Sequence, residues 1–520
     1  MKALRLQHLV LALALVHAAF YCCALPLWEG FDEPAHYGYV ESLSAAHKLP
    51  VLQRAWLSQE IRESLAIAPL SRLLSQTLPD AVSFEQWAGF SIADKERRRA
   101  ELKRIPRSAR TEPSDFLNYE AQQAPLAYLL YVPFDWLLSG LVLPERILLL
   151  RLVGGVASCL LIYFALTRLL DLLGMSSGLR LAVLACVFES QMLWASVAHV
   201  GNDVAAIPLT VWFLTWLALT AQQTSNRNML VLAVIFALGL IAKAYFLAFL
   251  PVFAAILLHA ARKRAIRGST LAAVIAIVLA VAAPWYGHNL SLYGSLSGTQ
   301  QSVAGIGWRA ALAALPRIQW LESAGDFARW SLWTGNWSFL SFSRITLNIE
   351  IWLVRAALLV YLLFWRRIQT PELWIWAACG CFGLSLIYQT CVTWVATQGA
   401  SQFAEPWYAQ GVIVVVWALC FMGIDRWRSG GRWIGAALLV VSTWVAAMTY
   451  FAKLLPYYAG GINRGSVAAI WNWWRGNPTQ AIGTVVLAPV PVVYALLTLF
   501  TMLLIASAAI ILRRLFVDMD

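Results

Sequence analysis

The chain is short of charge. Only 13% of its 520 residues are Asp, Glu, Lys or Arg, about half the share of a soluble domain. Acids are the scarcer sign, 27 against 39 Lys and Arg, which leaves a net charge of +12. Cysteine is sparse as well: the eight residues show neither zinc-site nor disulfide spacing, and most lie in apolar stretches as buried small residues. Internal repeats, low-complexity tracts, soluble end domains and nucleic-acid-binding motifs are all missing, so the positive charge indicates membrane anchoring and anionic lipid rather than nucleic acid. What abounds is apolar. Hydrophobic residues make up 60% of the chain, and 26 Trp and 17 Tyr fit the aromatic belts of membrane interfaces. Lys2 and Arg5 before an apolar run look like a signal peptide, but acids stand where a cleavage site would be, so an uncleaved anchor is expected.

Apolar runs occupy 8–27, 147–168, 180–198, 203–221, 229–260, 269–287, 346–364, 372–395, 409–424, 433–452 and 484–512. Basic clusters sit between them, notably "RKRAIR" at 262–267, "WRR" at 365–367 and "DRWRSGGR" at 425–432. If these clusters are all cytoplasmic, the run 229–260 has basic residues at both ends and cannot cross once. Each of its halves is about 20–24 Å of helix, short for 30 Å of hydrocarbon. It therefore reads as two half-helices that dip in and return, presenting Lys243 of "AKAYF" toward the outer side. The expectation is an all-α polytopic membrane protein with about ten full transmembrane helices plus this hairpin. Both termini fall in the cytoplasm, and the outer loops span 28–146, 288–345, 396–408 and 453–483. The first loop carries the basic run 95–110, read either as a solvated amphipathic helix or as an anionic-lipid contact. It also carries the apolar stretch 124–143, placed as an interfacial helix because counting it as a span would reverse every later loop.

The outer face then collects the chemistry. In "GFDEPAHYGYVESL" (30–43), Pro34 suits the first position of a helix, with Asp32 and Glu33 at its mouth and His36 in its first turn. Capping competes with a functional role for both acids. The stretch "HVGNDVAAIPL" (199–209) puts His199, Asn202 and Asp203 at another outer helix start, with capping by Asn202 or Asp203 set against a sugar contact. Aromatic stretches at 330–342 and 402–411 suit sugar stacking or headgroup anchoring.

"FDEPAHYGYV" resembles the first-loop motif of glycosyltransferases of the C superfold, which include protein O-mannosyltransferases and bacterial aminoarabinose transferases. It is most similar to a bacterial branch with an Asp-Glu-Pro-x-His opening. "NYEAQQAPLAYLL" (118–130), "LGLIAKAYFLAFLP" (238–251) and "PWYGHNLSLYGSL" (284–296) resemble further family segments in the same order. The resemblance covers about residues 8–300, implying a transmembrane catalytic module at 1–300 and variable helices at 301–520 on the acceptor side. It implies an enzyme of the bacterial inner membrane that moves a sugar from a polyprenyl-phosphate donor to a lipid, glycan or protein hydroxyl on the outer face, with inversion. Asp32 would be the base and Glu33 would orient acceptor or sugar. Lys243, His288, Asn289 and His36 would serve the donor phosphate. Tyr119, Gln122, Gln123, Glu405, Trp407 and Tyr408 are the candidate sugar or acceptor contacts. Neither a metal nor a cofactor is expected. Gln122-Gln123 and His288 depart from the family's cationic positions, leaving the basic run 95–110, Arg329 or Arg344 as possible compensation. The rival reading is a transporter or lipid flippase with Lys243, Glu189 and Asp203 as a charge pathway.

Overall fold

The computed structural model describes residues 2–427 and 429–517. Met1, Arg428 and the last three residues lie outside the described residues, and with them the chain ends expected in the cytoplasm and one arginine of the 425–432 cluster. The first helix, α1 (Lys2–Ala24), leads into residues 25–142, the segment that the basic clusters assign to the outer side, whose longer helices include α2 (Glu33–Ser44), α3 (Ile92–Arg104) and α4 (Leu126–Leu137). There follow α5 (Leu143–Leu172), α6 (Ser177–Glu189), α7 (Gln191–Val197), α8 (Asp203–Gln222), α9 (Asn226–Leu240), α10 (Leu250–Arg262) and α11 (Gly268–Tyr293). The last third holds α12 (Arg344–Leu363), α13 (Thr370–Ala396), α14 (Gln410–Arg426), α15 (Ser429–Met448) and α16 (Val490–Val517). Ten segments among the described residues are long and apolar enough to cross a membrane, the polytopic all-α architecture expected from hydropathy. Two short two-stranded sheets interrupt it, Trp56–Ser58 with Pro113–Leu117 and Pro69–Leu70 with Val82–Ser83, both in the outer segment.

Two spans differ from the sequence reading. The run 180–198 is not one straight crossing: α6 and α7 meet at an angle of 56° at Ser190, whose hydroxyl accepts the Leu193 N–H and starts a new helix. The run 229–260 does fold back, but its arms are unequal. The 15 residues of α9 are short, whereas Ala244–Arg262, a 3₁₀ turn continued by α10, is 19 residues long and passes as a span by itself. The pair returns to its starting side, because the Arg267 N–H donates to Asn226 Oδ1 at 3.0 Å. Its turn therefore lies at the other end, where Lys243 meets the first residue of α8. An up-and-back pair adds an even number of crossings, so later loops keep their assigned sides.

The interfacial helix takes the form of α4, whose 12 residues make about 18 Å of helix, too short to span. One side buries Tyr128, Tyr131 and Asp135; the other exposes Leu129, Leu130, Phe134 and Leu137. Within the basic run, α3 buries only Lys95 and Leu102, as a solvated helix should. Its continuation is different: Arg110 turns inward and donates to Asp135 Oδ2 at 2.6 Å. Beside it the buried Arg146 pairs with Glu60 and donates to Tyr37 at 2.6 Å. These ion pairs tie the outer segment to the start of α5. Removing one member of such a buried pair costs about 3–5 kcal/mol.

Candidate active site

Asp32 is the residue before α2, and its backbone is left-handed with φ 51°. Pro34 fixes the next turn, and the Asp32 carbonyl accepts the His36 N–H at 3.0 Å. This geometry turns the Asp32 carboxylate away from its own helix, which it does not cap, and toward Tyr119, whose hydroxyl donates to Oδ1 at 2.8 Å. Burial raises the Asp32 pKa, partly offset by the Tyr119 hydrogen bond and the nearby charge of Lys243. A carboxylate held this way is a stronger base than a solvated one.

Lys243 sits at the turn of the hairpin, extended between α9 and the 3₁₀ turn Ala244–Phe249. Its ammonium donates to Asp203 Oδ1 at 2.7 Å, with the Tyr408 ring centroid 5.0 Å away. Asp203 opens α8 and is therefore an ion partner rather than the cap the sequence favours there. Asn202, which precedes it, makes no cap hydrogen bond either; its amide donates to Gln123 Oε1 at 3.1 Å.

Asp32 and Lys243 line one cavity of about 530 Å³. Tyr119, Glu120, Gln122 and Gln123 form its wall on the side of the first loop, and Glu405, Trp407 and Tyr408 face them from the segment leading into α14. Six of the expected contact residues, Tyr119, Gln122, Gln123, Glu405, Trp407 and Tyr408, are thus brought together with Asp32 and Lys243. The cavity draws on both sides of residue 300. Ser297 and Thr299–Ser302 add polar side chains to its lining, and Leu247, Ala248, Phe382 and Leu386 add apolar ones. Along α13 the lining runs from Phe382 to Thr397, about 22 Å of helix rise. It therefore reaches from the outer loops to roughly mid-depth of a spanning helix.

Four expected residues stand elsewhere. Glu33 lies on the far side of the α2 mouth, fully buried, where Arg151 of α5 pairs with it through Nη2 and donates from Nε at 2.7 Å. It also accepts the Val200 N–H at 3.0 Å, and Arg151 donates to the carbonyls of Leu25 and Pro26 at 2.6 and 2.8 Å. Burial would raise the Glu33 pKa, but Arg151 overrides it and holds it below the usual range. Glu33 thus clamps the loop that presents Asp32 and is not itself among the residues lining the cavity. His36 is buried against the Tyr128 hydroxyl at 2.8 Å, and burial keeps its pKa well below the ordinary imidazole value, so it brings no cation. His288 stacks on Trp285 at 5.6 Å, and Asn289 donates to the Leu296 carbonyl at 3.3 Å. Neither lines the cavity, and over Asn289 the chain after α11 folds back, with Gly298 at φ 62° packed on its side chain. The suggested compensating arginines are absent as well: Arg329 pairs with Asp326, and Arg344 is exposed outside the cavity.

Sequence reading missed Glu120. Its carboxylate accepts from Gln123 at 2.6 Å and from Gln300 at 3.2 Å. Burial and then the Asp32 charge push its pKa up to about 8, and the same two causes bring Glu405 to about 7. Glu120 lies inside the quoted "NYEAQQAPLAYLL", but its partner Gln300 is 180 residues away, a pairing without a local signature. Compared with known protein families and with curated proteins, the chain matches none.

Proposed function

We propose that the chain is an integral-membrane glycosyltransferase that moves a sugar from a polyprenyl-phosphate donor to a hydroxyl acceptor with inversion. The observation that carries this reading is one cavity lined both by Asp32 and Lys243 and by the apolar side chains of Leu247, Phe382 and Leu386. A lipid-linked sugar fits that mixed lining, with the isoprenoid against Leu247, Phe382 and Leu386 and the headgroup toward Asp32 and Lys243. Asp32 accepts the acceptor hydroxyl's proton as the oxygen attacks the anomeric carbon. The anomeric carbon–phosphate oxygen bond breaks, and the phosphate leaves with the bonding pair. Lys243 supplies positive potential where that charge develops; Asp203 orients the ammonium, and Trp407 and Tyr408 offer faces to the sugar.

Basic clusters favour placing the opposite helix ends in the cytoplasm, hence the cavity at the outer face of a bacterial inner membrane. The transporter reading has less support. Glu189 accepts from Thr443, whereas Lys243 and Asp203 pair with each other, so the charges invoked for a pathway stand in separate places. Incubating purified protein with a labelled polyprenyl-phosphate sugar and membrane extract tests the proposal. Label should move into an extract component, and Asp32→Asn should stop the transfer while donor binding persists. Lipid or solute movement that continues in Asp32→Asn, with no transfer by the wild type, would sink it.

A further inference from the structure

The basic run 95–110 takes no part in the proposed chemistry, and only one flank of α3 is fully solvated. Arg97 and Glu101 are exposed, whereas Arg98, Arg99, Leu102 and Lys103, at helical spacing, line a second cavity of about 640 Å³. It shares no lining residue with the first. Its other walls include residues 483–490, ahead of α16, and the first turns of α5. Leu148 and Leu149 carry the lining along α5, a spanning helix on which Leu149 is exposed, so the lining reaches a surface that lipid covers. Both α5 and α16 begin here and pack on α1. Leu27 also lines the cavity, which therefore lies at the same end of the bundle as Asp32.

The guanidinium groups are fixed here without being neutralised. Arg98 Nη1 donates to the carbonyls of Ala66 and Ile67 at 3.2 and 3.1 Å. Arg99 Nη1 donates to the carbonyl of Gly483 and, at 3.2 Å, to that of Val486. Each side chain keeps its Nε and Nη2 donors for another partner. Among the described residues no carboxylate pairs with either, although Glu96 stands near Arg99. Other arginines of this region do find acids: Arg62 pairs with Asp115, Arg110 with Asp135 and Arg146 with Glu60. Lys103 has only Glu145 at 3.8 Å, both about half exposed. Among the described residues the lining thus sets three cations against one acid, beside the apolar side chains of Leu27, Ile67, Leu148, Leu149 and Val490.

We propose that this second cavity binds one anionic phospholipid, its phosphate at Arg98, Arg99 and Lys103 and its acyl chains against Leu148 and Leu149. A phosphate oxygen pair matches the donors that each guanidinium has left, and the pairing is charge-assisted. A zwitterionic headgroup brings the same phosphate but also an ammonium, which the uncompensated cations repel, so net charge selects the anionic lipid. The apolar lining favours a lipid over a free phosphate, since only the lipid covers it. The bound lipid ties α3 to the membrane surface beside α5 and α16. Nothing in this inference depends on the glycosyltransferase reading.

Native mass spectrometry of the delipidated full chain in detergent tests this. Phosphatidylglycerol and phosphatidylethanolamine with identical acyl chains are titrated in turn, with glycerol 1-phosphate as a competitor. One phosphatidylglycerol should bind about tenfold or more tightly than phosphatidylethanolamine, and glycerol phosphate should not displace it. Arg98→Gln and Lys103→Gln should each reduce the preference and together abolish it. Lys103 is exposed, so its replacement decides the matter even if Arg98→Gln fails to fold. Two controls should leave the preference intact: Arg97→Gln, on the solvated flank of α3, and Arg367→Gln, in a basic cluster at the opposite helix ends. A diazirine on the acyl chain should label peptides containing Leu148 and Leu149. Equal binding of the two lipids, displacement by glycerol phosphate, or a preference that Arg367→Gln removes and Lys103→Gln does not would each overturn the inference.

Discussion

Asp32 combines a strained backbone with an exposed task. A left-handed residue other than glycine costs about 1–2 kcal/mol, least for Asp and Asn. Asn therefore keeps the conformation and can still accept from Tyr119, so Asp32→Asn separates chemistry from folding. Transfer should fall by about 10²–10⁴-fold, the usual contribution of a positioned base, with the melting temperature unchanged. Glu33 should behave in the opposite way. Glu33→Gln leaves the fully buried Arg151 without its counter-charge, a loss of about 3–5 kcal/mol visible in thermal unfolding. Replacing both by Met should recover a large part of that. A Glu33→Gln protein that is as stable as the wild type but inactive would return Glu33 to the chemistry.

Among the elements, the returning hairpin does most to build the site. It carries Lys243 to the start of α8, and its second arm supplies Leu247 and Ala248 to the cavity. A cysteine introduced at Gly305, in the loop after α11, should react with an impermeant maleimide added to intact cells. One at Arg264 or Arg367 should react only after permeabilisation, since both belong to the opposite helix ends. Reaction of all three from the same side would break the topology. Most of this architecture was legible, because length, hydropathy and basic clusters act locally along the chain. Asp32, Lys243 and the 119–123 and 405–408 segments were legible too, since polar residues at the ends of apolar runs are conspicuous. The clamp was not. Glu33 meets Arg151 across 118 residues, and nothing adjacent to either says so. The placement of Asn289 failed for a related reason: whether a helix end faces a cavity depends on the loop that follows, and Gly298 lets that loop close over it.

Across the whole molecule, buried acids outside the spans set a pH response. Glu29 and Glu120 are each pushed up to about 8, chiefly by burial; an unfolded glutamate titrates near about 4.3. Between those values the folded state holds protons that the unfolded chain releases, so stability is fully present at low pH and is lost as pH rises toward 8. The melting temperature of the protein in detergent should fall from pH 5 to pH 8, and Glu29→Gln with Glu120→Gln should flatten the slope. A melting temperature that rises across that window contradicts the assignment.

The cavity joins the loop residues around Asp32 to side chains midway along α13, and photo-crosslinking examines that junction directly. A polyprenyl-phosphate sugar bearing a diazirine on its first isoprene units would be bound, irradiated and mapped by mass spectrometry. The label should fall on peptides containing Leu247, Ala248, Phe382 and Leu386, and should be displaced by unlabelled donor. Displaceable label confined instead to α12, α15 or α16, which lie outside the cavity wall, would contradict the account.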